Sequence, residues 1–254
     1  RPIHRGAAIT QKVNFNVIRN NTDRFKEISY LYSLINGLGY IAGSYAAYAT
    51  SDRLNLSPND VDVFSINEDS FNKIKEKLLV EKFVETSENS LVLTMRPPIN
   101  DLTRDMPPTL QLVKPRILAN GQTFGHPEEI IDSFDFTVCR VLLLDENFSL
   151  VDSSFEKDIR EMELNTKNLQ CPIGASIRLE KYAKKDFNVD SYQHFLVFSL
   201  SRSIDNGSFD KLNQLFSKRK NYIDAINSGL IFEDLSILGL TEEETEDLYF
   251  YLKI

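Results

Sequence analysis

The sequence contains few of the residues that mark several common classes of protein. Tryptophan is absent, and cysteine, methionine and histidine occur only two, three and three times in 254 residues. Two cysteines cannot build a disulfide framework, so we expect Cys139 and Cys171 to be buried thiols in a reducing compartment. The histidines show no zinc-like spacing with each other or with the cysteines, which argues against a zinc enzyme.

Long apolar runs and an excess of basic residues are missing as well. No stretch of about 18 apolar residues occurs, so we expect no membrane partner. The net charge of -8 argues against an extensive nucleic-acid surface. The chain begins with Arg1 rather than methionine, and its first residues lack the apolar core of a secretory signal. We expect a cytoplasmic protein, or a virus-particle component if the chain is a processed assembly protein.

The first two-thirds of the chain mixes helix and strand patterns. Apolar residues at helical spacing predict a helix over residues 23–38, followed by a short strand at 40–42. Further helices are expected over 44–50 and over 70–79, the second with Ser70 as its N-cap. Strands are predicted over residues 61–66, 82–86, 90–95, 109–113, 134–144 and 148–151.

The strand signals stop near Phe155, and the segments that follow are typical of helices. They start near residues 155, 173, 190, 209, 221 and 242, and Thr241 with Glu244 forms a capping-box pattern. We therefore predict an α/β head over residues 1–165 and an all-helical domain over residues 166–254.

Two aspartates alternate with valines in "DVDV", residues 60–63. In a strand, residues two apart point to the same side and lie about 6.6 Å apart. Asp60 and Asp62 therefore project together, while the valines can pack into a core. Paired carboxylates on a rigid strand suit Mg²⁺ or Mn²⁺, because such ions prefer oxygen ligands and bridge carboxylates to substrate phosphates.

Two other short segments carry residues that suit phosphate chemistry. Asp135 is flanked by phenylalanines in a predicted apolar strand, where a carboxylate costs free energy unless it is paired or metal-bound. It is the candidate third carboxylate, ahead of the nearby Asp132. Gly43 and Ser44 lie between a predicted strand and a helix, where a glycine lets the backbone approach a phosphate and the serine hydroxyl adds a donor.

Together these motifs resemble the DNA polymerase β-type nucleotidyltransferase superfamily. Its pattern is hG[GS], Dh[DE]h and h[DE]h, with h apolar, and it is matched by "AGS" at 42–44, "DVDV" at 60–63 and "FDF" at 134–136. The resemblance covers roughly residues 23–145 and extends to uncharacterised viral and phage-type members. It implies an α+β fold: a nucleotidyltransferase-like mixed sheet with flanking helices, followed by the all-helical C-terminal domain. The long gap from Ser44 to Asp60 implies an extended loop.

The segment "IRLEKYAKKDF" places four further residues on one helical face: Arg178, Lys181, Tyr182 and Lys185. The resemblance implies that Lys181 binds the β- or γ-phosphate with support from Arg178, and that Tyr182 lies near the base or sugar. A solvated charged face is an equally compatible interpretation.

The resemblance also implies an activity. Asp60 and Asp62 would bind the metal ions, and Asp135 would complete the second metal site and help to deprotonate the acceptor. A nucleoside monophosphate would pass from an NTP, expected to be ATP, to a hydroxyl of a short RNA end, a nucleotide or a protein, with release of pyrophosphate. The alternatives are a catalytically inactive nucleotidyltransferase-like structural or interaction module, for instance a processed virus-particle component, and, more weakly, a metal-dependent glycosyltransferase.

Overall fold

Eight strands form one mixed sheet in the part of the chain that the structure, a computed structural model, describes: residues 14–54, 58–115, 125–165, 167, 178 and 181–188. The strands are β1 (Phe15–Arg19), β2 (Gly39–Ala42), β3 (Asp60–Ser65), β4 (Val84–Glu88), β5 (Val92–Arg96), β6 (Thr109–Val113), β7 (Val141–Leu143) and β8 (Phe148–Asp152). The helices are α1 (Thr22–Lys26), α2 (Ser29–Ile35), α3 (Ser44–Thr50), α4 (Glu68–Val80), α5 (Pro127–Asp132) and α6 (Phe155–Glu161).

The strand order is β1-β8-β7-β2-β3-β6-β5-β4. Strands β3 and β6 run parallel, and the other neighbouring pairs are antiparallel. The chain passes from β3 to its parallel neighbour through α4 and the β4–β5 hairpin. The mixed sheet with flanking helices confirms the predicted α+β class for the described residues.

One face of the central strands is apolar throughout. A row of four buried side chains crosses β2, β3, β6 and β5 in register: Ile41, Val63, Leu112 and Leu93. Helices α1 to α4 contribute to the same core, for example through Leu31 of α2 and Ile74 of α4. This burial of apolar area fixes the orientation of β3, because a shift of one residue would turn its valines out of the core.

The opposite face of the same strands changes from apolar to polar. Helix α5 covers the apolar part with Ile130 and Ile131, over a row made of Tyr40, Phe64, Val113 and Val92. The next row along the strands, called the polar row below, consists of Ala42, Asp62, Gln111 and Thr94. One step further, Asp60 lies opposite Thr109. The "DVDV" segment therefore directs its valines into the main core and its aspartates to the polar part of the other face.

Several predicted elements differ in their boundaries. The helix predicted over residues 23–38 is two helices, α1 and α2, because the backbone of the buried Ile28 leaves the helical region at φ -116° and ψ 8°. Helix α4 begins earlier than predicted, because the side chain of Asn67 accepts a hydrogen bond from the Ser70 N–H at 2.9 Å. Asn67, and not Ser70, is therefore the N-cap.

The strand predicted over residues 134–144 is the largest difference. Only β7 is a strand; Asp135 lies in a bend, and residues Thr137–Cys139 form a 3₁₀ helix. Hydrogen bonds to neighbouring segments hold this stretch out of the sheet: the Thr137 N–H donates to the Asn165 carbonyl at 2.9 Å, and the Lys167 N–H donates to the Asp135 carbonyl at 2.8 Å.

Most of the predicted helical domain lies outside the described residues, so the boundary near residue 165 stays a prediction. Residues 178 and 181–183 are helical. Tyr182 and Phe187 are buried in the main core, and the Asn188 N–H donates to the Met162 carbonyl at 2.7 Å. The described residues beyond 165 therefore pack on the head.

Within the described ranges, the helices are all too short or too polar to cross a membrane.

Two valines on neighbouring strands provide a matched test of the core. Val151 in β8 is fully buried, whereas Val17 in β1 is 59% exposed. We expect Val151→Ala to lower the free energy of unfolding by about 2 kcal/mol, because two methyl groups leave a packed site. Val17→Ala should change it by less than about 0.5 kcal/mol. Equal shifts of the urea midpoint in both variants would contradict this assignment of the core.

Candidate functional site

Asp60 and Asp62 form the acidic centre of the candidate site. Both lie on β3 and project from the same face of the sheet, as predicted. Asp60 is buried and Asp62 is half-buried. Their neighbours on the parallel strand β6 are Thr109 and Gln111. The two carboxylates therefore line the polar part of this face, next to the apolar part that α5 covers.

Gly43 brings the predicted phosphate-binding turn against Asp62. The residue has a φ of +81°, a backbone conformation that residues other than glycine rarely adopt. A Cβ atom placed on Gly43 would lie 3.3 Å from Oδ2 of Asp62 and 3.0 Å from Cε1 of Phe134. The Gly43 N–H donates to the Val141 carbonyl at 2.9 Å, which fixes the turn to β7. The "AGS" and "DVDV" segments, separate in the sequence, therefore meet at one point.

The Asp62 carboxyl group is in an unfavourable electrostatic position for a free carboxylate. Burial raises its pKa well above the ordinary value, and the neighbouring charge of Asp60 raises it further. The Lys181 ammonium acts in the opposite direction. A carboxylate under these influences is stabilised by any cation that binds the pair.

Two lysines supply positive charge next to the acidic pair. Lys181 acts electrostatically on Asp62, and Lys185 interacts in the same way with Asp60. Burial lowers the pKa of Lys185, and the charge of Lys181 lowers it further. The basic face predicted for this segment therefore lies close to the carboxylates, although the sequence singled out Lys181 and not Lys185 for phosphate binding.

Asp135 is placed differently from the prediction. It lies in the bend between α5 and the 3₁₀ helix, is only 3% exposed, and forms an ion pair with Arg178. Within residues 14–54, 58–115 and 125–165 and the few described beyond them, no group of three or more His, Cys, Asp or Glu side chains could hold a metal ion. The described residues thus show no three-carboxylate group of Asp60, Asp62 and Asp135, and the metal-binding role of Asp135 stays a prediction.

Tyr182 lies in the main core. Its ring makes edge-to-face contacts with Phe136 and Phe187, at centroid distances of 5.4 and 5.5 Å. Burial raises its pKa, as does the neighbouring thiol of Cys139. Cys139 is a buried free thiol, as expected from the sequence, whereas Cys171 lies outside the described residues. The predicted contact of Tyr182 with a base or sugar stays a prediction, and the structure gives this side chain a packing role.

A buried ion pair that the sequence analysis missed holds the Asp135 bend in place. Nε of Arg140 contacts Oδ2 of Asp152 at 2.8 Å, and both side chains are buried. Nη1 of Arg140 donates to the carbonyls of Asp132 and Phe134, each at 3.3 Å. An arginine inside the apolar run "CRVLLL" was the available signal, because a buried charge requires a partner.

Gln111 is a second residue that the sequence analysis missed. It lies beside Asp62 in the polar row and is almost fully buried. Its position within the apolar segment "TLQLV" was the only sequence signal, since alternation places it on the same face as Thr109.

The raised pKa of Asp62 leads to a prediction about pH. An aspartate whose pKa is higher in the folded chain destabilises the fold when it is ionised, and this penalty disappears below the ordinary aspartate value of about 3.9. In metal-free buffer, Asp62→Asn should raise the melting temperature at pH 7 by a few degrees, and this gain should shrink as the pH approaches 4. The exposed Asp101→Asn should show neither effect. A gain that does not depend on pH would contradict the account.

The Arg140–Asp152 pair leads to a prediction about stability. Arg140→Met leaves Asp152 buried without its cation, so we expect the free energy of unfolding to fall by about 3–5 kcal/mol. The matched control is Arg104→Met, which removes an exposed pair with Asp105 and should cost at most about 1 kcal/mol. Urea unfolding measures both. A similar small loss in the two variants would show that the buried pair does not hold the fold.

Comparisons with known proteins returned no match among curated sequences. Solved structures that match include a tRNA nucleotidyltransferase complexed with a primer tRNA and an incoming ATP analog, with a TM-score of 0.46, 12% identity, and coverage of 87% of this chain and 58% of the other. A CCA-adding enzyme with ATP matches with a TM-score of 0.46 and 14% identity, over 88% of this chain and 55% of the other.

The CCA-adding enzyme of Bacillus stearothermophilus in complex with CTP matches with a TM-score of 0.37 and 13% identity, over 65% of this chain and 35% of the other. The chain thus spans only part of each of these three structures. A family model of Gabija anti-defense 2 proteins matches residues 12–160, which is more than half of the chain. The chain belongs to the Gabija anti-defense 2 family.

Proposed function

We propose that the protein is a metal-dependent nucleotidyltransferase that acts against the Gabija defence system. The observation that carries the proposal is the meeting of two sequence motifs in space: the Gly43 turn lies against the carboxylate of Asp62, on the polar part of the sheet face. Two neighbouring carboxylates beside a backbone turn suit a substrate that carries phosphate groups and a bound divalent cation.

The acidic pair fits Mg²⁺ or Mn²⁺. Two aspartates two residues apart supply hard oxygen ligands. Burial and the charge of Asp60 raise the pKa of Asp62, and a bound cation would offset both effects. Asp60 and Asp62 would hold the metal. When bound, it would neutralise negative charge on the phosphates as they react.

The surrounding residues would bind and orient the nucleotide. Gly43 has no side chain to obstruct a phosphate, and the Ser44 hydroxyl can donate a hydrogen bond to it. Lys181 lies near the acidic pair and is the proposed partner of the β- or γ-phosphate. Arg178 forms an ion pair with Asp135. We propose that from this position it supports the binding of the phosphate by Lys181.

The proposed reaction replaces a phosphoanhydride bond of the nucleotide by a phosphate ester bond to the acceptor. The acceptor hydroxyl oxygen bonds to the α-phosphorus, and the bond from that phosphorus to the oxygen that bridges it to the β-phosphate breaks. Pyrophosphate leaves with the electron pair, and the hydroxyl proton passes to water. The resemblance gave this proton to Asp135, but the buried ion pair of Asp135 with Arg178 favours solvent as its destination.

The family description supports the biological part of the proposal, since it names the family as anti-defence. The inactive-module alternative shares this role but does not require the acidic pair. The two hypotheses are therefore separated by the effect of removing both carboxylates on nucleotide binding and on counter-defence.

Nucleotide binding is the first test. We expect one NTP, with Mg²⁺ or Mn²⁺, to raise the melting temperature of the wild type; ligand at about 100 times its Kd stabilises a fold by about 2.7 kcal/mol. Asp60→Asn/Asp62→Asn should lose this shift and should lose transfer of α-labelled nucleotide by at least about 100-fold. Asp101→Asn/Asp105→Asn removes the same charge from the surface and should retain both properties.

Counter-defence is measured in cells that carry the Gabija system and are challenged with a virus that it restricts. Wild type and the surface control should relieve the restriction, and the Asp60→Asn/Asp62→Asn variant should not. Absence of any metal-dependent nucleotide shift in the wild type, together with full counter-defence in the double variant, would favour the inactive module.

A further inference from the structure

Gln111 is a buried polar residue that the proposed function does not yet use. It lies in the middle of β6 and is 4% exposed. Its side chain forms no hydrogen bond with any residue in the described ranges. Three other buried polar side chains of this sheet have partners in the protein: Ser65, Ser149 and Asp152. The Gln111 carboxamide is not one of the fully buried polar groups without a partner, so its atoms reach the surface of this face, where they can contact a ligand.

The strand register determines which groups surround Gln111. It is paired with Asp62 on β3 and with Thr94 on β5, so all three project from the same face of the sheet. Adjacent strands lie about 4.8 Å apart. Gln111 is therefore the side chain next to Asp62 on the side away from Gly43, within the polar row.

The chemistry of the carboxamide fits a phosphate oxygen. The group carries no charge and offers two N–H donors and one carbonyl acceptor. A third carboxylate at this position would add to the repulsion between Asp60 and Asp62, whereas an amide can approach an anionic oxygen. A cation held by the acidic pair would bring substrate phosphates to this part of the face.

On the basis of the function proposed above, we propose that Gln111 is a substrate-binding residue. Its carboxamide N–H donates a hydrogen bond to a phosphate oxygen of a nucleoside triphosphate that is bound at Asp60 and Asp62. The site then has a neutral amide, rather than a third acid, beside its acidic pair.

The test compares substitutions that change the chemistry of the side chain at position 111 but keep its volume nearly constant. Gln111→Met keeps the length of the side chain and removes its polar atoms. We expect the melting temperature without ligand to be unchanged or higher, because the substitution removes no hydrogen bond to the described residues. In calorimetric titration with Mn²⁺ and a non-hydrolysable ATP analogue, the Kd should rise about tenfold. Thr94→Val, a matched loss of a hydroxyl in the same row, should leave the Kd unchanged.

A second titration, with Mn²⁺ alone, tests the position of the side chain. Gln111→Glu should bind Mn²⁺ severalfold more tightly than the wild type, because it adds a carboxylate beside Asp62. Gln111→Met should bind Mn²⁺ as the wild type does. An unchanged affinity in Gln111→Glu would show that residue 111 does not border the acidic pair and would overturn the inference.

The outcomes separate this inference from the proposed function. If the wild type binds no nucleotide, both fail. If the wild type binds the nucleotide and Gln111→Met binds it equally well, only the role of Gln111 is wrong. A loss of equal size in Thr94→Val would also count against a specific contact, since it would indicate a general change in the sheet face.

Discussion

The two-sided packing of β3 is the constraint on which the rest of the structure depends. Val61 and Val63 are fully buried in the main core, and this fixes the opposite orientation for Asp60 and Asp62. A shift of the register by one residue would place both carboxylates in the core, at a large cost in free energy. The fold thus holds the acidic pair on one side of the sheet because the hydrophobic effect holds the valines on the other.

The elements around β3 determine what surrounds the acidic pair. Strand β2 ends at the Gly43 turn, which lies against Asp62 because no side chain intervenes. Strand β6 places Gln111 on the other side of Asp62. Helix α5 covers the apolar part of this face, and the Phe134 ring packs on Phe64 at 5.6 Å between centroids. The polar part of the face is therefore bounded by packed side chains, and Lys181 and Lys185 contribute positive charge near it.

Local patterns in the sequence were sufficient for elements whose residues are set by near neighbours. Helix α3 and strand β6 match their predicted ranges, because their apolar spacing and the flanking turns agree with the final packing. The stretch around Asp135 was misjudged for a physical reason. Its apolar character is typical of a strand. Two contacts with residues outside the stretch hold it in a bend instead: the ion pair of Arg140 with Asp152, and the hydrogen bond from Thr137 to the Asn165 carbonyl.

In the candidate site, too, some features follow from local sequence patterns and others depend on contacts between remote residues. The common orientation of Asp60 and Asp62 follows from the alternation of side chains along a strand. The position of Gly43 against Asp62 agrees with the order of the motifs in the sequence. The place of Gln111 could not be predicted, because it depends on which strand lies beside β3, and the chain passes through a helix and a hairpin before β6 joins it. The ion pair of Asp135 with Arg178 likewise joins two segments that no local pattern relates.

The central claim is that a divalent cation and a nucleotide meet at Asp60 and Asp62. A crystal structure of the protein with Mn²⁺ and a non-hydrolysable ATP analogue tests it most directly, because the anomalous signal of manganese locates the metal without assumptions about activity. The account predicts a manganese peak ligated by both carboxylates, with the triphosphate next to the Gly43 turn. Manganese and nucleotide bound elsewhere, with Asp60 and Asp62 contacting only protein or solvent, would contradict it.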